Sequence, residues 1–445
     1  MNDKNLNELL EANRYAELMR TLDEINAVDA AEFLASLDTS LQAKLFRLLK
    51  KDTASDIFTE LESDVQEAII RSMSDREIGK FMDALFIDDA VDMLEELPAS
   101  MVNRILKSTT PELRHEINRF LNYPEDSVGS IMTSEFVRIR ANMNVSEAVE
   151  YIRRHGVDKE TVYTIYVTDR ARVLLGTLSL RDLLFAKDEE RVEDLMETAV
   201  ISVGTTEDRE EAANLISKYN LLALPVVDSE KRLVGIVTVD DAVDVLLDEA
   251  TEDIEIMAAI APTDKPYLKT GVVRTWMHRI PWLLFLMLSA TFTGTIITHY
   301  ESALGRMVIL TAFIPMLMAT GGNAGGQTSA TILRSLSLGE IEPRNIWRVL
   351  WKEFLVALLC GATLAFVCFF KVLIIDTPDP LVALVVSLTL ILAVIVAKIV
   401  GCALPILAKC IKLDPAVMAS PFITTIVDTV ALVIYFNIAT NLLGL

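Results

Sequence analysis

The 445-residue sequence carries 63 acidic against 41 basic side chains, a formal net charge of −22, yet 52% of it is hydrophobic and its mean hydropathy is +0.37. Acidity combined with high apolarity excludes an ordinary soluble protein and implies that the two properties occupy different stretches. Up to residue 270 there are 55 acidic and 30 basic residues, net −25, and beyond it 8 and 11, net +3. The acidic part argues against nucleic acid as the main partner, since phosphate binding needs Lys and Arg to release counterions, and it favours cations. Cys360, Cys368, Cys402 and Cys410 all fall in the apolar part. Their spacing fits neither a zinc site nor a disulfide framework, so they read as reduced packing residues. The opening MNDKNLNELLEANRYAELMR lacks the apolar core of a signal peptide, so the acidic part is expected in the cytoplasm.

The first zone, within residues 1–126, contains a twelve-residue repeat. One column reads Phe33, Leu45, Ile57, Ile69, Phe81, Met93, Ile105, and the next Leu34, Phe46, Phe58, Ile70, Met82, Leu94, Leu106. Apolar offsets of i, i+1 and i+4 fit one face of a two-turn helix. Ser40, Asp52, Asp64, Asp88 and Ser100 are expected as N-caps, with Arg76 breaking the column beside Ser74 and Asp75. Helices so short are unstable alone, which predicts an all-α solenoid stacked through its apolar columns.

A second repeat, at an offset of 59 residues, aligns Thr164–Leu184 with Ala223–Val243. Each copy reads strand, polar turn, strand, helix. Ile131-Met132 and Leu195-Met196 each precede a short strand and an amphipathic helix, Val145–Arg154 and Glu207–Tyr219. This resembles a tandem pair of cystathionine-β-synthase (CBS) domains, an α/β fold, over residues 127–195 and 196–245. The resemblance implies that Arg181 and Asp182 stand where such pairs hold adenine nucleotides, so ATP is a candidate ligand; a purely structural pair is the alternative.

A connecting helix, residues 246–272, leads to five apolar stretches near 281–300, 304–320, 353–375, 381–408 and 416–443, the second the shortest. Each is long enough, or nearly so, to cross a bilayer, giving a five-helix transmembrane domain over 273–445. Lys269, Arg274, Arg279, Arg334, Arg344, Arg348, Lys352, Lys409 and Lys412 would share one side with the amino terminus. The positive-inside rule then puts the amino terminus in the cytoplasm and the carboxyl terminus outside a cell or inner membrane.

Three constellations carry chemistry. In the last span, Asp428, Thr424 and Ser420 recur at one-turn intervals and form a polar stripe read as a pore lining, against the alternative of an interhelical hydrogen bond. In Pro315–Gln327, four glycines and an amide are expected to break the helix and turn carbonyls toward a cation, unless the small residues only allow close helix approach. On the helix leading into the membrane domain, residues 240–255, Asp241, Asp244, Asp248 and Glu252 share a face, with Glu249 and Asp253 beside them, and Asp88 and Asp92 form a second acidic pair in the solenoid. Such repulsion would be relieved by a divalent cation; a solvated acidic face is the plainer reading.

The order of the three zones, with ThrGlyGlyAsnAlaGlyGlyGln at 320–327, AspProAla at 414–416 and SerProPheIleThrThrIleValAsp at 420–428, resembles the MgtE family of magnesium channels and transporters. The resemblance implies a homodimer in a lipid bilayer, with Asp428 holding a hydrated Mg²⁺ in a central pore. It also implies a cytosolic Mg²⁺ sensor formed by Asp88, Asp92, Asp241, Asp244, Glu249, Glu252 and Asp253 that closes the pore. No GxxxxGK[ST] loop is present, so entry would be passive. The competing function is a nucleotide-sensing membrane regulator without ion flux. An enzyme fits poorly, because His115, His155, His278 and His299 are scattered and no nucleophile–base motif stands out.

Overall fold

The computed structural model describes residues 3–157, 159–263, 267–268, 270–418 and 420–444, apart from the side chains of residues 3–5, Glu96 and Ser420. It divides into two compact units, Met1–Leu246 and Leu247–Leu445.

The first unit opens with α1 (Asp3–Glu11) and α2 (Tyr15–Glu24), then keeps the twelve-residue period: α3 (Ala27–Ala35), α4 (Thr39–Phe46), α5 (Lys51–Thr59), α6 (Ser63–Ser72), α7 (Asp75–Met82), α8 (Ile87–Glu96), α9 (Ala99–Ser108) and α10 (Pro111–Phe120). The repeated apolar columns meet inside, where Phe46, Phe58 and Phe81 pack with ring centroids 4.7–5.7 Å apart. The capping expectation needs correction. Helices start earlier than expected, so Ser40, Asp52, Asp64, Asp88 and Ser100 occupy the second helical position. Side-chain caps come instead from Asn26, Thr110 and Ser74, the last in a reciprocal capping box with Glu77. Acids in a first turn still favour the helix through its dipole, so the residue types suited both positions.

The solenoid continues through α11 (Val128–Ile131) into two matching three-stranded sheets. The first half comprises β1 (Phe136–Arg140), α12 (Val145–His155), β2 (Thr161–Thr168), β3 (Leu174–Ser179), α13 (Leu180–Phe185) and α14 (Val192–Leu195). The second comprises β4 (Val203–Gly204), α15 (Arg209–Tyr219), β5 (Ala223–Val227), β6 (Leu233–Thr238) and α16 (Val239–Met257). In each sheet the first strand lies parallel to the second, which forms an antiparallel hairpin with the third. The halves exchange their entry segments. Thr133 bridges to Ile236 and Glu197 to Thr177. This explains the repeat-end glycines: a Cβ on Gly176 would meet Met196 Sδ at 2.8 Å, and one on Gly235 would meet Met132 Sδ at 2.6 Å. A single apolar core runs from the solenoid through Val128 and Met132 into Val203, Leu224 and Val237 of the second half.

The second unit contains α17 (Val272–His299), α18 (Glu301–Arg306), α19 (Ile314–Ser337), α20 (Ile346–Lys371), α21 (Pro380–Cys410) and α22 (Ser420–Leu443). Among the described residues, five helical spans are long and apolar enough to cross a membrane: Val272–His299, Val308–Ser337, Pro343–Asp376, Pro380–Cys410 and Pro415–Leu443. The second is not short, since a 3₁₀ segment, Val308–Phe313, leads into α19 and the span reaches Ser337. Helix α21 is the central element, burying Val382, Val386, Leu390, Ala393, Ala397 and Ile406 among others.

The glycine-rich stretch also departs from expectation. Residues 320–327 lie within one uninterrupted α-helix, so their carbonyls are engaged along the helix. The glycines act through close packing. A Cβ on Gly321 would meet Val427 at 2.8 Å, on Gly322 Thr424 at 2.8 Å and on Gly325 Ile423 at 2.6 Å, while one on Gly401 of α21 would collide with the Gly325 carbonyl oxygen. Without much apolar driving force between helices in lipid, such backbone approach is a main source of association. Gly401→Ala is therefore expected to destabilise the membrane unit by about 1–3 kcal/mol, read as a lower melting temperature of the detergent-solubilised protein.

Candidate functional site

The α19–α22 contact leaves a groove of about 470 Å³ lined by Met318, Ala319, Gly322, Asn323, Gly326, Gln327, Thr424 and Asp428. Its polar groups arise from two i, i+4 pairs, Asn323 and Gln327 on α19 and Thr424 and Asp428 on α22, so one turn of each helix faces the other. Nothing lies within 4 Å of a Cβ built on Gly326, so the groove is open there. Asn323 and Gln327 are exposed within the chain and Asp428 is half-buried. Of the expected stripe, Thr424 and Asp428 line the groove; the side chain of Ser420 lies outside the described residues. The amide side chains of Asn323 and Gln327 add polar groups to this lining, whereas the sequence pointed only to the backbone of their stretch.

A second group of acids lies in the first unit. Asp88 and Asp89 in the first turn of α8 face Glu135, Glu160 and Asp241 closely enough for mutual repulsion. Burial, then the neighbouring carboxylates, raises Asp88 well above the usual carboxylate range, and one of its buried carboxylate oxygens has no hydrogen-bond partner. The same causes push Asp89 and Glu160 up to about 7. Asp241 is raised by burial and by Asp240, although it accepts hydrogen bonds from the Thr238 amide and hydroxyl. Asp92 is exposed and lines a separate cavity of about 220 Å³ with Asp89, Glu62 and Gln66. Asp88 and Asp241, both singled out in the sequence, are thus brought together, while Asp89, Glu135 and Glu160 went unremarked there. No spacing rule links residues so far apart.

Further along α16, Asp244 is exposed, and Glu249, Glu252 and Asp253 are half-buried. Asp253 is pushed up to about 6, first by burial, then by Asp414 and Glu249, with Ser337 and Arg334 opposing. Asp414 belongs to the Asp-Pro-Ala turn, where its carboxylate also accepts the Ala416 amide at 2.8 Å. Among the described residues, no group of three or more His, Cys, Asp or Glu side chains is arranged to hold a metal ion.

At the first CBS half, Arg181 and Asp182 are exposed at the start of α13. Asp182 accepts a 2.6 Å hydrogen bond from Ser179, whose hydroxyl accepts the Asp182 amide at 3.0 Å. The Ser179 hydroxyl thus caps α13 and is held by Asp182, as the Thr238 hydroxyl is held by Asp241 at the matching position of the second half.

A carboxyl with a raised value in the folded state keeps its proton where the unfolded chain has lost it, so stability falls as pH rises through that window. For Asp89 the window runs from 3.8 to about 7. Without divalent cations, raising pH from 5 to 7.5 is expected to lower the first unit's melting temperature by at least about 2–4 °C, the equivalent of about 1 kcal/mol at this size. Thermal unfolding of the whole protein with EDTA, and with millimolar Mg²⁺ added back, checks this.

Comparison with known proteins matches the MgtE intracellular N domain at residues 25–126, CBS domains at 128–189 and 192–248, and the divalent cation transporter domain MgtE at 314–438. The chain is 37% identical over 442 residues to the magnesium transporter MgtE of Thermus thermophilus, covering 98% of both chains. It is 34% identical to that of Bacillus subtilis over 97% of this chain and 95% of the relative. Among solved structures, the soluble part of a magnesium transporter matches with a TM-score of 0.53 and 33% identity, over 56% of this chain and 98% of that one. The cytosolic domain of the Mg²⁺ channel MgtE in complex with ATP matches at 0.52 and 35%, over 55% and 99%. With its solenoid, CBS pair and multi-pass membrane helices all matched in order, the chain belongs to the MgtE family of magnesium transporters.

Proposed function

We propose that this protein carries Mg²⁺ through the groove at Asp428, passively and into the cell, and that Mg²⁺ bound at the cytosolic acids closes the path. The single observation behind this reading is the groove itself, where one carboxylate, a hydroxyl and two amides line the same concave surface within the membrane helices. Mg²⁺ sheds water reluctantly and is usually held through one or two carboxylates with waters retained. One Asp428 from each of two copies around a symmetry axis would suit a hydrated ion, and the openness of the groove within one chain fits a homodimeric pore. Inward movement of a doubly charged ion across roughly 100 mV is favourable by about 4.6 kcal/mol. The amino terminus is then cytoplasmic, the carboxyl terminus extracytoplasmic, and the host a cell or inner membrane.

The sensor reading rests on the acids that repel one another. Asp88, Asp241 and their newly found neighbours Asp89, Glu135 and Glu160 form one group; Glu249, Asp253 and Asp414 form another. Their all-oxygen donor set suits a hard divalent cation, and a hydrated one bridges carboxylates through water without the tight convergence of a direct-ligand site. Asp92, Asp244 and Glu252 would supply outer charges. ATP is proposed at the CBS pair, with Arg181 contacting phosphate and Asp182 at the ribose end, on the strength of the relative solved with ATP. The test is Mg²⁺ entry into liposomes of purified protein while the Mg²⁺ on the cytosolic face is varied. Flux that falls as that Mg²⁺ rises supports the reading, and absence of flux at micromolar Mg²⁺ sinks it.

A further inference from the structure

Three polar side chains from three different membrane helices meet away from the groove. Lys398 of α21 donates a 3.0 Å hydrogen bond to the Thr328 hydroxyl of α19. Thr328 in turn donates to a Glu353 carboxylate oxygen of α20 at 3.2 Å, and Lys398 stands 3.7 Å from that oxygen. The charged side chains are only 8% and 13% exposed. All three stand about three turns in from the span ends at Ser337, Pro343 and Cys410, so they occupy a similar depth. Ionisable groups inside a membrane are expensive and rarely retained for stability alone, because an apolar pair of similar volume is usually as stable or more so.

Thr328 directly follows Gln327, and it is buried where Gln327 is exposed. Helix α19 therefore shows its amides to the groove on one side and is bonded to the ion pair on another. The same stretch is pressed against α21 at Gly325 and Gly401 and against α22 at Ile423. A shift of the ion pair would rotate or slide α19 and carry Asn323 and Gln327 with it relative to Asp428.

We propose that Glu353, Lys398 and Thr328 form an intramembrane charge node that sets the rotation and depth of α19, making them positioning residues for the ion path. The inference rests on the transport reading above. Charge balance at the node, together with the Thr328 hydroxyl that links it to α19, fixes where the groove amides stand. The choice among cations of similar size then depends on residues that never touch the ion.

The test compares Mg²⁺ and Co²⁺ entry into liposomes for the wild type, Thr328→Val, the double variant Glu353→Met/Lys398→Met and the charge exchange Glu353→Lys/Lys398→Glu. Thr328→Val keeps side-chain volume and removes only the link. It is expected to lower maximal Mg²⁺ flux at least fivefold and to change the Mg²⁺-to-Co²⁺ ratio at least threefold. The Met pair should keep its melting temperature and show the same changes, whereas the charge exchange should recover at least half the wild-type flux. A merely packing role would alter yield and melting temperature but leave the ratio in place. Unchanged flux and ratio in Thr328→Val overturn the node, even if the Met pair fails to fold. Absence of flux in the wild type overturns the transport reading instead, so the two failures are distinct.

Discussion

Replacing Asp428 by Ala should reduce Mg²⁺ entry into liposomes to background, a fall of about 100-fold. Asp428 is the only charged side chain lining the α19–α22 groove among the described residues. Removing one member of a poorly solvated charge interaction costs about 3–5 kcal/mol, and about 3 kcal/mol is already about 100-fold in an equilibrium or rate. Asp428→Asn keeps the size and one oxygen but not the charge, so it should fall nearly as far, and Asp428→Glu should retain part of the flux. Thr424→Val should lose less, because a hydroxyl contributes a dipole and not a charge. Selective flux retained in Asp428→Ala would place the path elsewhere. Melting temperatures measured alongside separate loss of ion binding from loss of fold.

The second large effect concerns closure. The variant Asp88→Ala/Asp241→Ala removes two carboxylates from the group in which Asp88, Asp89, Glu135, Glu160 and Asp241 repel one another. If a cation is what makes their apposition favourable, the Mg²⁺ concentration giving half-maximal inhibition should rise at least tenfold, about 1.4 kcal/mol of lost affinity. Asp253→Ala should act in the same direction through the second group, where Asp253 lies near Asp414 and Glu249. The two groups lie on separate units, so their effects should add when combined. Inhibition at lower Mg²⁺ than in the wild type would reverse the argument: repulsion alone would then hold the path open, and neutralising it would close it.

The sequence determined what repeats locally or lies at helical spacing. The twelve-residue columns gave the solenoid, because each unit is a two-turn helix whose buried positions recur. The 59-residue offset gave two matching half-domains for the same reason. Span length and apolarity gave five membrane helices, and an i, i+4 interval put Thr424 and Asp428 on one face of α22. Residue type alone decided less. The glycines at 320–327 admit either a broken helix or a closely packed one, and packing against Ile423, Thr424 and Val427 chose the second.

Tertiary structure alone decided which distant groups meet. Asp89 and Glu160 are ordinary surface acids by sequence. They acquire raised values near 7 only because the solenoid packs its α8 terminus against the CBS pair. Lys398 and Glu353 stand out as charges in apolar stretches, but their meeting with each other and with Thr328 is invisible in one dimension, since 25 and 70 residues separate the partners of their hydrogen bonds. Contact between helices depends on which faces can approach, and here that is set by glycines on α19 and α21 whose role is legible only once a neighbour's backbone is seen against them. Electrostatics follows the same logic, since a charge's energy depends on what surrounds it in space and not on what precedes it in the chain.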